Sequence, residues 1–348
     1  MRTQINTALC SYGMSGHLFH APFIHEHPDF NLYAVFERTK NIAEAKYPSI
    51  KTYRTLEAML QDDAIDLVVV NTPNVTHFEF TKMAVESGKH VIVEKPFTVT
   101  SKEAEVLIEL ADKHQVKLSV YHNRRWDSDF KTVKKIIESN VLGDIVEAEF
   151  HYDRFDPELS YKTHKETPTE GVGSLYDLGS HIIDQALVLF GMPDSVFATT
   201  NAFRSNSKVI DYFDIRLFYA SHYVTLKSSY FVREPLPAYS VHGTKGSFLK
   251  SKADVQENDL QKEIKPNTNN WGVEPESERG LLHLENKGVS HKELVSTLPG
   301  DYMAYYNGIS QSILNNKPLP VSANQATQVI KVIEAALKSS EKQKSIYL

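Results

Sequence analysis

Short apolar runs alternate with amphipathic stretches over the first third of the chain, from Ile5 to Val120. This alternation is typical of a parallel β-sheet that is covered by helices on both faces. The apolar runs predict the strands Asn6–Cys10, Asn31–Phe36, Ile65–Asn71, His90–Val93 and Lys117–Tyr121. Apolar residues at three- and four-residue spacing predict the helices Thr55–Gln61, Thr76–Ser87 and Ser101–His114.

The pattern changes after Tyr121, where a predicted helix, Ser128–Ser139, is followed by residues that alternate between apolar and polar. These residues predict the strands Ile145–Tyr152, Ser195–Ala202, Tyr212–Tyr219, Val224–Phe231 and Ala238–Gly243, with one helix, Leu175–Phe190, among them. The polar stretch Lys250–Gly280 predicts a long surface loop, and Asn324–Ser339 predicts a final amphipathic helix. We therefore expect an α+β domain with a large, mostly antiparallel sheet after the parallel one, divided as residues 1–122 and 123–348.

The composition agrees with two folded domains, because 348 residues exceed the size at which one hydrophobic core usually stops growing. With 41% hydrophobic and 24% charged residues, the chain does not belong to the disordered or coiled-coil classes. The 38 basic and 44 acidic side chains leave a formal charge of −6, which argues against nucleic acid as a partner.

Cysteine content and hydropathy indicate where the protein works. Cys10 is the single cysteine, so an intrachain disulfide is excluded and a reducing cytoplasm is the expected location. The sequence contains no apolar run long enough to span a membrane, so a membrane location is not expected. His25 and His27 are spaced so that they would point to different faces, and we predict no metal site.

The turn after the first predicted strand, residues 11–17, matches the dinucleotide-binding pattern G-x-G-x-x-G except that Ser11 replaces the first glycine. Gly13 would let the main chain approach a pyrophosphate, and Gly16 would let the next helix pack closely on the strand. The N-terminus of that helix would offer free N–H groups to the anion. The alternative is a tight strand-to-helix turn without a ligand.

An acidic and a basic residue stand together at the end of the second predicted strand. Glu37 lies 21 residues after Gly16, where a carboxylate can bind the ribose 2′-hydroxyl of NAD. Arg38, next to it, could instead bind the 2′-phosphate of NADP. Because Lys40 adds positive charge, we favour NADP over NAD, while an exposed Glu/Arg pair in a loop remains the alternative.

Lys95 follows the fourth predicted strand, at the end of a sheet where open α/β proteins bind ligands. In the second half, Asp177 and His181 are four residues apart on a predicted helix, so they share one face. Each of these observations has a structural alternative, because a lysine can be solvated and an Asp/His pair can serve only to hold the fold.

Three motifs follow one another along the chain: the glycine turn, Glu94-Lys95-Pro96 and the pattern Asp177-x-Gly179-x-His181. Their combination and order resemble the glucose-fructose oxidoreductase and inositol dehydrogenase (Gfo/Idh/MocA) family. Residues 19–23, 121–127 and 176–185 are similar to the NADP-dependent scyllo-inositol dehydrogenase branch of that family. Ser11 is the clearest departure from the family pattern.

The resemblance implies a Rossmann domain that binds NAD or NADP, followed by a sheet domain that often packs face to face in a homodimer or homotetramer. It implies hydride transfer to or from a secondary hydroxyl or ketone of a cyclic polyol or sugar, with an inositol-like substrate favoured. The implied catalytic residues are Lys95, Asp177 and His181. The implied cofactor-binding residues are Gly13, Met14, Ser15, Gly16, Glu37, Arg38, Thr72, Pro73, Asn74, His77, Glu94, Lys95 and Asn123.

Two substrate-binding residues are less specific. By resemblance Arg154 would reach a polyol hydroxyl, and its alternative role is a structural ion pair with a carboxylate. Trp271, in the polar loop, would either stack on a sugar ring or seal a hydrophobic cluster. The rival functions are a non-catalytic NAD(P)-binding regulator of a sugar pathway and an NAD-dependent glycosidase of the same fold.

Overall fold

The computed structural model describes residues 4–266 and 268–348, with the side chains of residues 164 and 286 left out. These residues form two compact units. The first unit contains the described part of Met1–Asn123 together with Gln256–Trp271 and Asp301–Thr327. The second contains Arg124–Val255, Gly272–Gly300 and Gln328–Leu348. The structural units therefore differ from the predicted residue ranges, because two segments from late in the chain belong to the first unit.

The first unit is built on a six-stranded sheet in the order β3-β2-β1-β4-β5-β6, and all the pairings are parallel. The strands are β1 (Ile5–Leu9), β2 (Phe30–Phe36), β3 (Lys51–Tyr53), β4 (Leu67–Val70), β5 (His90–Val93) and β6 (Leu118–Val120). The sheet is a core element: β4 and β6 are buried along their full lengths. The prediction of a parallel sheet is confirmed, and β3 is a strand that the pattern did not reveal.

Helices of the first unit connect these strands. They are α1 (Ala21–Glu26), which continues a π-helical turn at Gly16–His20, and α2 (Ile42–Lys46), α3 (Leu56–Leu60), α4 (His77–Glu86) and α5 (Ser101–His114). The helix α5 begins with a capping box in which the side chains of Thr100 and Glu103 bind each other's main chain. The returning segments add α9 (Gln256–Gln261) and α10 (Met303–Asn315). The predicted loop over 250–280 was therefore wrong where α9 forms.

The second unit is built on a nine-stranded sheet in the order β14-β13-β12-β11-β7-β10-β9-β8-β15. The strands are β7 (Ile145–His151), β8 (Ser195–Asn201), β9 (Tyr212–Phe218), β10 (Tyr223–Ser229), β11 (Tyr239–Gly243), β12 (Gly246–Lys250), β13 (Gly280–Asn286), β14 (Val289–Val295) and β15 (Ile346–Tyr347). All pairings are antiparallel except that of β7 with β10, which confirms the predicted mostly antiparallel sheet. Its helices are α6 (Ser128–Glu138), α7 (Thr163–Glu166), α8 (Ser180–Phe190) and most of α11 (Ala323–Lys342).

The two faces of the large sheet differ in polarity. On β9, Phe213, Ile215 and Leu217 are fully buried, whereas the alternating residues Asp214 and Arg216 are not. This period of two shows that one face is buried and that the described residues of the chain leave the other face uncovered. None of the helices in the described ranges is long and apolar enough to cross a membrane.

Candidate functional site

The glycine turn of residues 11–17 follows β1 and is tight on one side and open on the other. A Cβ atom on Gly16 would lie 2.2 Å from the main-chain oxygen of Ser11 and 2.7 Å from Nδ2 of Asn71, so glycine is required there. A Cβ atom on Gly13 would have the Ser11 hydroxyl at 3.4 Å as its nearest neighbour, which is an ordinary contact. The same hydroxyl accepts a hydrogen bond from the N–H of Gly13 at 3.1 Å, and in this way Ser11 closes the turn.

The predicted cofactor-binding residues collect at one edge of the first sheet. The strands are parallel, so the residues that follow their carboxyl ends share an edge, and the strand order reverses between β1 and β4. At this edge stand Gly13, Met14, Ser15 and Gly16 after β1, Glu37 and Arg38 after β2, Thr72, Pro73 and Asn74 after β4, Glu94 and Lys95 after β5, and Asn123 after β6.

A cleft of about 570 Å³ opens at this edge within the first unit. Gly13, Glu37, Arg38, Thr72 and Pro73 line it, and all five were predicted from the sequence. The volume lies in the range of ligand pockets, and the open side of the glycine turn faces the cleft. The volume of the cleft and the open side of the glycine turn are therefore compatible with a bound dinucleotide.

Glu37 does not present a free carboxylate to this cleft. Its side chain is 8% exposed, and its two oxygens accept hydrogen bonds from the N–H groups of Ile42 at 3.2 Å and Ala43 at 3.1 Å. These N–H groups begin α2, so Glu37 acts as a helix cap. The sequence interpretation of an exposed Glu/Arg pair was therefore wrong for Glu37, whereas Arg38 is exposed at the cleft.

Arg54 holds the β2 loop, which we define as Glu37–Asn41. Its Nη1 donates to the main-chain oxygens of Glu37 at 2.8 Å and Lys40 at 2.7 Å, and its Nη2 donates to the side chain of Asn41. The loop that carries Arg38 is thereby fixed at both ends. Sequence reasoning missed Arg54, because it follows β3, the strand that the hydrophobic pattern did not predict.

His77 lies beneath the edge rather than at the cleft. It is fully buried, and its ring nitrogens lie 2.8 Å from the main-chain oxygens of Pro96 and of Thr72. Burial lowers the pKa of His77. Because it links the segments that follow β4 and β5, His77 supports the edge, and its predicted contact with a cofactor has no support in this geometry.

Glu94 is held on both of its oxygens. Oε1 accepts a hydrogen bond from the Ser15 hydroxyl and lies 3.0 Å from Nε2 of His20, while Oε2 accepts from the N–H of Lys95 at 3.1 Å. Burial opposes the charge of Glu94, but His20, Ser15 and Lys95 outweigh it and lower the pKa to about 2. The glycine turn and the segment of Lys95 are thus joined through one ionised carboxylate. The peptide bond between Lys95 and Pro96 is cis.

In the second unit, Asp177 and His181 stand at the start of a long helical segment. Asp177 lies in the π-helical turn Leu175–Gly179, and its carboxylate accepts from Nζ of Lys165 at 3.2 Å. His181 lies in the first turn of α8, is 5% exposed, and its ring centre is 6.0 Å from that of Tyr152. Both residues therefore occur on one helical segment, as predicted, and Lys165 is a neighbour that the sequence did not reveal.

Arg154 is exposed in the same unit and does not form the structural ion pair that was its alternative role. Among the described residues, no carboxylate lies close enough to its guanidinium to form an ion pair. Its guanidinium carbon instead lies 5.9 Å from the ring centre of Tyr152 and 6.0 Å from that of Tyr230. Partial desolvation opposes its charge, but Tyr152 and Asp177 raise the pKa of Arg154. Arg154 thus presents its charge near Asp177.

Trp271 has contacts in the first unit that match the second of its two predicted roles. Its indole N–H donates to Oε1 of Gln256 at 3.0 Å, and its ring centre lies 6.1 Å from that of Phe23. These contacts seal an apolar cluster, and they give no support to sugar stacking. In the described part of the chain, no three His, Cys, Asp or Glu side chains are grouped so that they could hold a metal ion.

Comparison with known families matches both units. The model described as "Oxidoreductase family, NAD-binding Rossmann fold" matches residues 5–122, and the model described as "Oxidoreductase family, C-terminal alpha/beta domain" matches residues 134–348. These matches confirm the predicted fold class and the predicted nicotinamide dinucleotide cofactor.

Individual relatives match over the full length. The chain is 38% identical to scyllo-inositol 2-dehydrogenase (NADP(+)) IolW of Bacillus subtilis, over 99% of this chain and 96% of that protein. It is 36% identical to the uncharacterized oxidoreductase YdgJ of Escherichia coli, over 100% of both chains. A solved structure of the oxidoreductase yvaA from Bacillus subtilis superposes with a TM-score of 0.96 at 37% identity, covering 100% of this chain and 99% of that one. An oxidoreductase structure from Bacteroides fragilis has a TM-score of 0.91 at 43% identity, covering 99% and 100%.

Proposed function

Because this chain belongs to the Gfo/Idh/MocA family of oxidoreductases, we propose that it transfers a hydride between NADP and a ring carbon of a cyclic polyol or sugar. Its family makes it a nicotinamide-dependent dehydrogenase that acts on CH–OH groups. The substrate that we propose is inositol-like, in the form of a secondary alcohol or the corresponding ketone. The full-length relative IolW, which is named as an NADP-dependent scyllo-inositol dehydrogenase, supports this class.

The observation that carries the proposal is the shared edge of the first sheet. The open glycine turn, the cationic β2 loop and Lys95 all follow strands of this parallel sheet. A dinucleotide needs main-chain N–H groups for its pyrophosphate and a positive side chain for a 2′-phosphate. When bound, the nicotinamide ring accepts or delivers the hydride.

NADP is the proposed cofactor because of what the two residues at the end of β2 do. Glu37 is buried, and its two carboxylate oxygens are bound by the N–H groups of Ile42 and Ala43, so its carboxylate is directed at α2 rather than at a ribose hydroxyl. Arg38 is exposed at the cleft, and in the described structure it pairs with no carboxylate. A guanidinium in this position can bind a 2′-phosphate through two hydrogen bonds.

Four side chains take the proposed chemical roles. Oxidation of an alcohol requires that its hydroxyl lose a proton, and an imidazole such as His181 can accept and return that proton near neutral pH. Lys95 would stabilise the negative charge that develops on the oxygen. Asp177 would orient the substrate or the imidazole, and Arg154 would bind a further hydroxyl group.

Lys95→Ala tests the catalytic roles. We expect kcat with an inositol substrate to fall by about 10² or more, because the substrate oxygen loses its cationic partner. Lys102→Ala, which changes an exposed lysine on α5, is the matched control and should leave kcat unchanged. If Lys95 and His181 serve one proton transfer, the double variant will lose less than the product of the two single losses. Near-normal turnover by Lys95→Ala would refute the assignment.

Arg38→Ala tests the cofactor. We expect the KM for NADPH to rise by roughly tenfold or more, because one charge-assisted contact to phosphate is lost. The KM for NADH should change little, since NADH lacks that phosphate. An unchanged KM for NADPH would show that Arg38 does not bind the 2′-phosphate. A panel of inositols, aldoses and a nitrophenyl glycoside identifies the substrate, and cleavage of the glycoside would show a glycosidase instead.

The uncovered face of the large sheet supports a second proposal, that the protein forms a homodimer or homotetramer. This face holds a shallow groove of about 450 Å³, lined by acidic Glu147, Glu149 and Asp214 and by basic Arg216 and Lys227. A face that carries both charges can complement a second copy of itself. Phe197→Asp, at this groove, should lower the mass in light scattering, whereas Val106→Asp on α5 should not. An unchanged mass for Phe197→Asp would contradict the proposed interface.

A further inference from the structure

His20 is a buried histidine that the proposed reaction leaves without a role. It is fully buried in the first unit, at the end of the π-helical turn that follows the glycine turn. Both of its ring nitrogens have partners: Nε2 lies 3.0 Å from Oε1 of Glu94, and Nδ1 lies 2.8 Å from the hydroxyl of Tyr306. We call Ser15, His20, Glu94 and Tyr306 the His20 cluster.

The chemistry of the cluster fixes the direction of one hydrogen bond. An ionised carboxylate can only accept, so Nε2 of His20 must donate to Glu94. Nδ1 then either accepts from the Tyr306 hydroxyl or, in the charged imidazole, donates to it. That hydroxyl is itself within reach of the main-chain oxygen of Phe19, at 2.9 Å. The ring of Tyr121 packs on the imidazole with centres 4.6 Å apart, so His20 has little freedom to turn.

We infer that His20 is a positioning residue for the proposed hydride transfer, because its bond to Glu94 holds that carboxylate between the glycine turn and the main chain of Lys95. The inference deepens the proposed function and rests on it. Oε1 of Glu94 receives Ser15 from the turn, and Oε2 receives the N–H of Lys95. The same carboxylate therefore sets the distance between the proposed phosphate-binding turn and the proposed catalytic lysine.

The charge of Glu94 depends on this arrangement. Burial raises the pKa of a carboxylate, and in Glu94 the hydrogen bond and charge of His20 are the largest opposing contributions. Among the described residues, titratable groups that interact electrostatically with Glu94 include His20, Lys95, His77 and Tyr306. Removing the donor of His20 leaves burial less opposed, so Glu94 would take up a proton at a higher pH and lose its hold on Ser15 or on Lys95.

Two substitutions of His20 separate its two nitrogens. In His20→Gln the amide nitrogen stands in for Nε2 and can still donate to Glu94, whereas in His20→Asn it stands in for Nδ1 and cannot. We expect His20→Asn to lower kcat by roughly tenfold and to add an acidic limb to the pH profile, beyond the limb that protonation of His181 gives the wild type. His20→Gln should stay closer to the wild type. The KM for NADPH should change less than kcat in both variants.

The double variant His20→Asn/Glu94→Gln tests whether the additional acidic limb of the pH profile comes from titration of Glu94. The glutamine side chain cannot titrate, so the limb should disappear if it belongs to Glu94. A wild-type pH profile in His20→Asn, or a limb that persists in the double variant, would overturn the inference even if kcat falls. If the wild type turns over no substrate of the panel, the proposed function fails instead.

Unfolding by urea at several pH values gives a readout that needs no activity. As the pH falls from about 4.5 towards 2, His20→Asn should lose less stability than the wild type does, because the pKa of its Glu94 no longer lies so far below the unfolded value, and His20→Gln should lose more than His20→Asn. Parallel pH profiles of stability in all three proteins would show that His20 does not hold the charge of Glu94. If His20→Asn does not fold, His20→Ala, which also lacks a donor to Glu94, replaces it in the same two measurements.

Discussion

Two glutamates stand at the carboxyl ends of strands in the same sheet, and the structure uses them in different ways. Glu37, after β2, is held by main-chain N–H groups of the helix that follows it within a few residues. Glu94, after β5, is held by the side chains of Ser15 and His20, which follow β1 and lie 79 and 74 residues earlier in the chain. The first contact is local and structural, while the second joins distant parts of the proposed site. An acidic residue at a strand end therefore does not by itself indicate a ligand-binding carboxylate.

The largest effect that we expect from this comparison concerns acid stability. The pKa of Glu94 is lowered from its ordinary value of 4.5 to about 2. A lowered pKa stabilises the folded state above the unfolded value, and this stabilisation is lost as the pH falls from there towards about 2. The contribution is on the order of 3 kcal/mol for a shift of this size. Urea unfolding of Glu94→Gln and the wild type over this pH range measures it.

One result would contradict the comparison at Glu94. The difference in stability between Glu94→Gln and the wild type should shrink as the pH falls. A difference that stays constant would mean that Glu94 contributes through packing rather than charge. A Glu37→Gln variant, measured in parallel, shows how much of the loss belongs to any buried glutamate at a strand end.

A smaller effect is expected at the β2 loop. Arg54→Ala removes the hydrogen bonds that fix Glu37–Asn41, so Arg38 should be less well placed for a 2′-phosphate. We expect the KM for NADPH to rise by roughly tenfold, with a smaller change for NADH. Arg54→Lys, which retains one charged donor, should fall between Arg54→Ala and the wild type. Equal changes for both cofactors would show that Arg54 supports the general fold and not the choice of NADP.

The smallest effect is expected for Glu37→Gln itself. The glutamine has one carbonyl oxygen, so it can cap only one of the two N–H groups at the start of α2. The cost should be about 1 kcal/mol of unfolding free energy, as for other lost caps. Urea denaturation measures this loss, and the preference for NADPH over NADH should remain. A reversal of that preference would mean that Glu37, and not only Arg38, determines cofactor choice.

Much of the fold could be predicted because buried parallel strands are almost wholly apolar. Leu67–Val70 is an example, since all its residues are buried. The strand β3, Lys51–Tyr53, has only three residues and none that is buried, so it leaves no hydrophobic signal. The hairpin of β13 and β14 was missed for a similar reason, because β14 is exposed over nearly its full length.

The site was predictable only where its signal is local. The glycine turn and the segment around Lys95 can be found in the sequence because short motifs carry them. The partner of Glu94 could not be found in this way, since His20 lies 74 residues before it. The cap that occupies Glu37 was also hidden, because α2 is short and its sequence has no strong apolar period.

The first unit contains two residues that are synthesised late, Tyr305 and Tyr306, and they contact residues that are synthesised early. Both lie on α10. The Tyr305 hydroxyl lies 2.9 Å from the hydroxyl of Ser119 on β6, and the Tyr306 hydroxyl lies 2.8 Å from Nδ1 of His20. The ribosome must therefore deliver more than 300 residues before these contacts can form. The unit that emerges first is therefore incomplete until the segment Asp301–Thr327 has been made, and a fragment ending near residue 122 would carry the cofactor motifs without Tyr305 and Tyr306.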